Sequence, residues 1–300
     1  MKIVMYHYIR NFNRKLPFFK NFLAEKEFIK QVKFFQKDKG IIKNLNEIKN
    51  NKDKYLLTFD DGLKEQIFAA KTLAKKGLTG IFFIPSLPIL EKKFLDVHKI
   101  QILLAKLGPK KIIQYLSKNK LYKMSIKNIK KKDMIKFSKA YSYNKDKELN
   151  ILFKKNMNYL IDSVNRSQIL DEMFIKFKIT ESVDKYYMNV SDLIYLKRLG
   201  MKIGCHSHSH NILSKMSKKN QLNEISKSKK FLENKIKKKI DFFCFPYGRK
   251  YSYNEDTLKI LKKNKFKYAF SVEARDVTML DLKKKYELPR YDTNFFKINY

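Results

Sequence analysis

Short apolar runs rich in β-branched and aromatic residues alternate with segments of helical periodicity near both ends of this chain. Phe28, Ile29, Val32 and Phe35 recur at helical spacing, for example, and predict a helix over 25–39. Further helices are predicted over 64–76, 218–235 and 254–264. The predicted strands span 2–8, 55–60, 79–85, 201–206, 241–245 and 267–271. Because strands that alternate with helices are typical of a parallel sheet, we expect an α/β fold.

The middle of the chain, about 95–185, departs from this alternation. It is rich in lysine, and apolar residues such as Ile100, Leu103 and Leu107 recur at helical spacing. A chain of 300 residues is long enough for one large domain that carries an insertion. We therefore predict a single domain over 1–300 with a helical insertion. The insertion is interpreted either as a lid or docking surface for an anionic or lipid-linked substrate, or as a structural elaboration that never touches substrate.

Acidic and imidazole side chains directly follow two of the predicted strands. Asp60 and Asp61 come after the apolar run 55–59, and His206 and His210 follow a second buried strand. One carboxylate and two imidazoles four residues apart are a plausible ligand set for a divalent metal with open coordination positions. The neighbouring carboxylate can act as a base toward water, which is the arrangement of a hydrolase. Two other interpretations stay open: a turn or helix start at Asp-Asp-Gly, and a solvated histidine-rich loop.

Three segments, taken together, resemble the motifs of a known family. They are Thr58–Gly62 (Thr-Phe-Asp-Asp-Gly), His206–His210 (His-Ser-His-Ser-His) and Phe243–Gly248 (Phe-Cys-Phe-Pro-Tyr-Gly). In sequence, order and separation they are similar to the first three motifs of the polysaccharide deacetylases, carbohydrate esterase family four, also called the NodB homology domain. The opening segment 2–9 resembles the first strand of many members. The resemblance covers residues 1–90 and 190–295.

The resemblance implies a distorted (β/α) barrel of about seven strands, and hence one polysaccharide-deacetylase-like catalytic domain over the whole chain. It also implies one divalent metal ion as cofactor, often zinc, held by Asp61, His206 and His210. Asp60 would then be the general base that takes a proton from the attacking water. His208, between the two histidine ligands, would support a ligand or be exposed rather than bind the metal.

The third motif adds two candidate site residues. The resemblance implies that this segment lines the wall of the active site, so that Pro246 contacts substrate. It also implies that the backbone amide of Tyr247 helps to bind the oxyanion formed when the acyl carbonyl is attacked. Such a donor stabilises charge that develops in the transition state, commonly the largest catalytic effect.

The proton donor for the leaving group is not identified by the sequence. Many members of the family carry a late histidine that protonates the leaving amine, but no histidine follows His210 in this chain. Either another group supplies that proton, or Asp60 and metal-bound solvent provide both the base and the acid. His7 and His98 are interpreted as structural or substrate-binding residues rather than as this acid. Arg290 either orients the base, binds substrate or is solvated near the end of the chain.

These residues together predict a metal-dependent hydrolase that removes an N-acetyl group from an amino sugar in a surface-glycan or lipopolysaccharide pathway. Its partner would be an N-acetylated sugar or glycan, and both nucleotide-linked and lipid-linked carriers stay open. One alternative is an enzyme that hydrolyses another linear amide or an O-acetyl ester on the same metal site. The other is a non-catalytic basic protein that binds nucleic acid or membranes on a degenerate barrel. The presence of Asp60 beside three candidate metal ligands argues against a degenerate barrel that has lost catalysis.

The chain has 67 Lys and Arg against 29 Asp and Glu, a formal net charge of +38. Such a charge attracts polyanions, including nucleic acids and anionic membrane surfaces. Lysine is nevertheless abundant along the whole sequence, together with Asn, Ile, Phe and Tyr, and these residues share A/T-rich codons. Because a genomic composition bias explains a diffuse charge better than a dedicated patch does, no dedicated nucleic-acid partner is expected. Peripheral association with an anionic membrane surface stays open.

The compartment is predicted from three sequence features. Neither a secretion signal nor an apolar run of 18 residues is visible, so we expect no membrane span. Cys205 and Cys244 match neither a zinc ribbon nor a disulfide framework, and are expected to be free thiols in a reducing compartment. The prediction is a cytoplasmic enzyme, either free or at the inner face of the membrane.

Overall fold

The computed structural model describes residues 1–11, 22–43, 48, 53–138, 140–141 and 147–296. The described residues divide into two compact units. Unit 1 comprises those within Met1–Lys15, Asn21–Lys93 and Val183–Tyr300, and unit 2 those within Phe94–Ser182. The interpretation of unit 2 as an insertion within one catalytic domain stays a prediction.

Unit 1 is built around a parallel sheet. The described strands are β1 Lys2–Tyr6, β2 Ile9–Arg10, β3 Leu23–Ala24, β4 Tyr55–Phe59, β5 Ile81–Ile84, β6 Lys202–Cys205, β7 Phe242–Cys244, β8 Tyr268–Phe270 and β9 Tyr291–Asp292. Seven of them form one sheet in the order β8-β7-β6-β5-β4-β1-β9, and every pair in it is parallel. The strands β2 and β3 form a separate parallel pair. Each predicted strand is present, shortened by one to three residues.

The segment 288–292 contacts both ends of this sheet. Leu288 forms a parallel bridge to Phe270 of β8, and Tyr291 pairs with Val4 of β1. The backbone N–H of Ser271 also donates to the carbonyl of Leu288 at 2.9 Å. Because the residue Leu288, just before the edge strand β9, bridges to β8 at the opposite edge, the sheet is curled into a distorted barrel, and the predicted fold class is confirmed.

The helices follow the strands in the order that a parallel sheet requires. In the described chain they are α1 Glu25–Asp38, α2 Ile67–Ala74, α3 Leu87–Leu90, α4 Asp96–Leu116, α5 Lys120–Lys127, α6 Lys131–Lys136, α7 Glu148–Lys155, α8 Ser163–Lys176, α9 Val183–Tyr186, α10 Val190–Arg198, α11 Lys218–Ile236, α12 Glu255–Lys263 and α13 Met279–Lys284. The helix predicted over 64–76 is divided, because a 3₁₀ turn at Lys64–Gln66 precedes α2. None of the described helices has the length and apolarity needed to cross a membrane.

Alternation along the strands separates two apolar clusters. Successive side chains of a strand point to opposite faces, and those facing the helices include Val4, Tyr6, Leu57, Phe59, Phe82, Ile203 and Phe243. Those facing the barrel interior include Ile3, Leu56, Ile81, Phe83, Phe242, Phe270 and Leu288. Gly204 belongs to the inner face, where a Cβ atom would collide with the ring of Phe83. The same alternation directs Asp60 and His206, just beyond their strands, toward the interior.

In unit 2 every described element is helical, and a buried ion pair lies beside its apolar core. Apolar residues of α4, α7 and α8 form the core, including Ile100, Leu103, Phe153, Ile169 and Leu170. Beside it, Asp96 accepts hydrogen bonds from Arg166 at 2.8 Å and from Ser167 at 2.5 Å, and Lys99 lies 3.2 Å away. Burial raises the pKa of Asp96, but the charges of Arg166 and Lys99 outweigh it and lower the pKa below its usual value.

Substituting Asp96 by Ala is expected to destabilise the protein by about 3–5 kcal/mol, because it removes the carboxylate that compensates the buried charge of Arg166. Since the folded-state pKa of Asp96 is lowered, its contribution is complete above the ordinary aspartate pKa and is lost as pH falls through the folded-state value. Urea denaturation at neutral and acidic pH measures both effects. The matched control is Asp171→Asn, whose carboxylate pairs with Lys99 at 2.6 Å but is 59% exposed, so its loss should cost about 0–1 kcal/mol. Equal destabilisation by both variants would contradict the prediction.

Candidate active site

The two adjacent carboxylates point in different directions. Asp60 directly follows β4 and is 2% exposed. Asp61 and Gly62 both have left-handed backbone, with φ of 74° and 61°, a conformation that glycine adopts readily and aspartate rarely. The chain therefore reverses immediately after Asp60, so that Asp60 remains on the inner face while Asp61 turns toward the histidine motif.

Asp60 is held by Arg290, which reaches it from the segment that closes the barrel. The guanidinium donates to both carboxylate oxygens of Asp60 at 2.8 Å, to the Thr58 hydroxyl at 3.1 Å and to the Cys244 sulfur at 3.0 Å. Burial raises the pKa of Asp60, but the charge and hydrogen bonds of Arg290 outweigh it, and the pKa lies below its usual value. Asp60 is consequently an ionised carboxylate at neutral pH, and Arg290 fixes its orientation. Of the roles considered for Arg290, orientation of the base is the one that its contacts favour, since its side chain is 0% exposed.

Asp61, His206 and His210 form a compact donor set. The Nε2 atoms of both histidines lie 3.4 Å from Asp61 Oδ1, and one ligand atom from each residue lies within 4.8 Å of the others. His206 Nδ1 is 2.8 Å from the carbonyl oxygen of Cys244. This bond favours the proton on Nδ1 and directs Nε2 at Asp61, as carbonyl partners do for metal-binding histidines.

The donor set fits a divalent cation in number, chemistry and spacing. Two imidazoles and one carboxylate are the ligands that zinc takes in catalytic sites, with a further position left open. Burial lowers the pKa of His206, but the neighbouring Cys244, Asp61 and Asp60 outweigh it and raise the pKa well above its usual value. Protons and a cation therefore compete for this cluster.

A second group of potential ligands, Asp60, His206 and Cys244, lies next to the first. It fits a cation less well, because the guanidinium of Arg290 already donates to both Asp60 and Cys244. A positive charge at that point opposes a second one nearby. Burial also raises the pKa of the Cys244 thiol, whereas a metal ligand must be a thiolate. Of the two groups, the one that contains Asp61 therefore fits a cation better.

His208 points away from this cluster. Its Nδ1 lies 2.8 Å from the Ser86 hydroxyl, and its Nε2 lies 3.0 Å from Glu91 and 2.9 Å from Lys227. The hydrogen bond from Lys227, stronger than the opposing effect of burial, lowers the pKa of Glu91 to about 2. His208 is thus buried in a polar network away from Asp61 rather than exposed, and its exclusion from the metal stays a prediction.

His7 is a partly exposed side chain next to Asp60. Its Nε2 is 3.9 Å from Asp60 Oδ2, and its side chain is 32% exposed against 3% for Asp60. The buried side-chain amide of Gln66 donates to the carbonyl oxygens of both His7 and Asp60, at 2.9 and 2.6 Å. His7 is therefore a partly exposed imidazole next to Asp60. The side-chain amide of Gln66 holds the backbone of both residues.

The three other predicted site residues lie in two places: Pro246 and Tyr247 follow β7, whereas His98 lies in unit 2. Pro246 is buried after β7, and Tyr247 follows it with a φ of 61°. The ring of Tyr247 lies 5.1 Å from that of His210, which places the third motif beside the metal ligands. His98 lies on α4 in unit 2 and is 1% exposed. Its assignment to substrate binding stays a prediction.

Comparison with known proteins agrees with this geometry. A family model described as "Polysaccharide deacetylase" matches residues 137–269, a range that includes the second and third motifs and begins after Asp60 and Asp61. The match confirms the predicted resemblance to the polysaccharide deacetylases of carbohydrate esterase family four. A search of curated proteins finds no match.

Solved structures show the same fold at low sequence identity. The chain is similar to the Streptococcus pyogenes deacetylase PplD in complex with acetate, with a TM-score of 0.57 and 15% identity over 97% of this chain and 91% of that one. It is also similar to a de-N-acetylase from Aggregatibacter actinomycetemcomitans, with a TM-score of 0.52 and 12% identity over 96% and 93%. The deacetylase domain of BpsB from Bordetella bronchiseptica gives 0.53 and 10% over 97% and 94%. These likenesses establish the barrel fold.

Proposed function

We propose that this protein is a metal-dependent N-deacetylase that removes an acetyl group from an amino sugar in a surface-glycan or lipopolysaccharide pathway. The observation that carries the proposal is an ionised carboxylate, Asp60, next to a three-donor cation site at one end of the parallel strands. Active sites of (β/α) barrels are assembled at the carboxyl ends of the strands. The deacetylases with the same fold, one of them in complex with acetate, support the choice of reaction.

Asp61, His206 and His210 would hold the cation, for which we propose zinc because the donors are nitrogen and oxygen. A divalent cation there supplies Lewis-acid activation of water and polarisation of the acyl oxygen. The three side chains are 2 to 8% exposed, so the surrounding protein excludes most bulk water. Low local polarity strengthens electrostatic interactions with a developing oxyanion.

Asp60 would act as the general base for the attacking water. Its position fits this role, because Arg290 keeps it ionised and fixes both of its oxygens. The backbone amide of Tyr247 would donate a hydrogen bond to the oxyanion of the tetrahedral intermediate. The left-handed backbone at Tyr247, in a residue that adopts it rarely, supports a functional constraint at this point.

His7 is the proposed proton donor to the leaving amine. It is partly exposed, lies 3.9 Å from Asp60 and is therefore the accessible proton donor next to the proposed base. Asp60 takes one proton from water as the water oxygen bonds to the acyl carbon, and protonated His7 delivers one proton to the amine nitrogen as the C–N bond breaks. Transfer of the proton from Asp60 to His7 then returns both side chains to their starting states. Acetate and a free amino sugar leave.

Replacement of His7 by Gln is expected to lower kcat by about 10²–10⁴ for an N-acetyl substrate, the usual contribution of general acid catalysis. An activated O-acetyl ester, such as a nitrophenyl acetate, needs no protonation of its leaving group, so its hydrolysis should change little. Comparison of the two substrates on one enzyme preparation measures the effect. The matched variant is His98→Gln, which alters the other histidine outside the His206–His210 motif. Equal loss on both substrates would exclude His7 as the acid.

Acetate release tests the proposed function directly. The purified protein, with Zn²⁺ added, would be incubated with N-acetylated oligosaccharides, nucleotide sugars and lipid-linked sugars. We expect release of acetate together with a free amine from at least one of them, and no release after chelation. Activity only toward O-acetylated sugars would contradict N-deacetylation. The carrier of the sugar, the role of unit 2 in docking it, and the cytoplasmic location stay predictions.

A further inference from the structure

The loop that carries the two histidine ligands has an unusual backbone. Ser207 and His210 both have left-handed φ values, 60° and 59°, which are unfavourable for residues with a Cβ atom. Such a conformation persists only where surrounding groups hold it. Within the loop, the Ser207 hydroxyl accepts from the His210 N–H at 3.1 Å, and the remaining support comes from neighbouring elements.

Glu224 on α11 supplies much of that support. One oxygen of its carboxylate accepts from the backbone N–H groups of His208 and Ser209, at 3.1 and 2.8 Å, and the other accepts from the Ser209 hydroxyl at 2.7 Å. Consecutive N–H groups that converge on one anion form a concave nest, and bonds to a charged acceptor are stronger than neutral ones. Glu224 is 8% exposed, so these bonds are little weakened by water.

The helix itself is firmly placed. Ile225 and Leu232 of α11 are buried in the core of unit 1. Lys227 lies three residues after Glu224, hence on the same helix face, and its ammonium contacts His208. On the opposite side of the loop, the Leu87 N–H donates to the His208 carbonyl at 2.9 Å.

From these contacts we infer that Glu224 is a positioning residue for the metal ligands: its carboxylate fixes the 207–209 backbone, and thereby the separation and direction of His206 and His210. Glu224 touches neither substrate nor the reacting atoms. The inference rests on the metal site of the proposed function and goes beyond it, because it assigns the affinity of that site to a residue outside the three motifs.

Zn²⁺ affinity of the full chain, measured by competition with a chelating dye, tests the inference. Glu224→Met keeps the length of the side chain and removes the acceptors, and is expected to weaken Zn²⁺ binding about 10–100-fold, the usual cost of losing a group that orients a ligand. Glu224→Gln should weaken it less, since the amide oxygen can accept both N–H groups and the amide nitrogen can donate to Ser209.

The matched control is Glu233→Gln on the same helix. Glu233 also accepts a backbone N–H, from Ile240 at 2.8 Å, but does not contact the ligand loop. Its substitution should lower the melting temperature without changing Zn²⁺ affinity. A general weakening of the helix would instead change Zn²⁺ affinity in both variants, and that result would overturn the inference.

Other results also decide the question. If Glu224→Met folds and binds Zn²⁺ as tightly as the wild type, the inference is wrong while the proposed function stands. If the wild type binds no Zn²⁺, both are wrong. If Glu224→Met does not fold, Glu224→Asp replaces it, because the shortened carboxylate cannot reach the loop; wild-type affinity in that variant overturns the inference, and weaker binding supports it.

Discussion

Asp60→Asn should retain its Zn²⁺ and lose turnover by about 10²–10⁴, since removal of a general base typically costs that much. The asparagine side chain can still accept a hydrogen bond from Arg290, but it cannot take a proton from water. Asp60 is not one of the three residues of the cation site, so the metal content should remain near that of the wild type. Steady-state rates of acetate release, together with metal analysis of the same preparation, measure both properties.

The companion variant is Asp61→Asn, in which metal binding itself should weaken because a carboxylate ligand is lost. Asp241→Asn serves as the control: this residue lies just before β7, and its carboxylate pairs with Lys267 at 2.9 Å. It should leave both metal content and rate unchanged. Equal metal loss in Asp60→Asn and Asp61→Asn would show that the roles of the two carboxylates are wrongly divided.

The double variant His206→Ala with His210→Ala is expected to lose its metal and, with it, its activity. Only Asp61 of the three donors would remain, and one carboxylate does not hold a divalent ion at micromolar concentrations against water. Wild-type protein should contain about one equivalent, as catalytic zinc sites do. Elemental analysis after dialysis measures the loss, and circular dichroism checks that the fold is retained.

His98→Gln provides the comparison for metal content, because it removes a buried imidazole that lies in unit 2 rather than in the donor set. It should keep its full equivalent of zinc. Retention of full metal content by the double histidine variant would exclude the assigned cation site. That outcome would not contradict the described fold, since the two clusters that form the core of unit 1 are apolar.

Several features of the site followed from local sequence. Asp60, Asp61 and His206 directly follow apolar runs that predict buried strands, His210 follows four residues after His206, and parallel strands bring their carboxyl ends to one edge. The positions of β4 and β6 were predictable to within two residues from the same apolar runs, whereas the choice of His206 and His210 over His208 followed from the family resemblance. Residue type and spacing were sufficient here because each motif is contained within a few consecutive residues.

Other site residues carried no readable signal. Cys244 contacts Asp60 across 184 residues, Gln66 donates to the carbonyl of His7 59 residues away, and Glu224 holds backbone N–H groups of a loop 15 and 16 residues before it. A glutamate on a lysine-rich helix resembles any solvated residue, and its burial against the ligand loop depends on how α11 packs. Such contacts join residues on different elements, and the periodicity of a single helix or strand does not reveal them.

The sequence by itself determined the presence and order of the strands, the candidate ligand types and the α/β class, since these depend on local pattern and on side-chain chemistry. Only the tertiary structure decided how Asp60 is held and which imidazole lies next to it. Arg290 reaches Asp60, across 230 residues, because residues 288–292 pair with both β8 and β1 and curl the sheet into a barrel. His7 comes beside Asp60 because β1 pairs with β4. The physical reason is that strand pairing and curvature of the whole sheet set these distances, and no short segment contains that information.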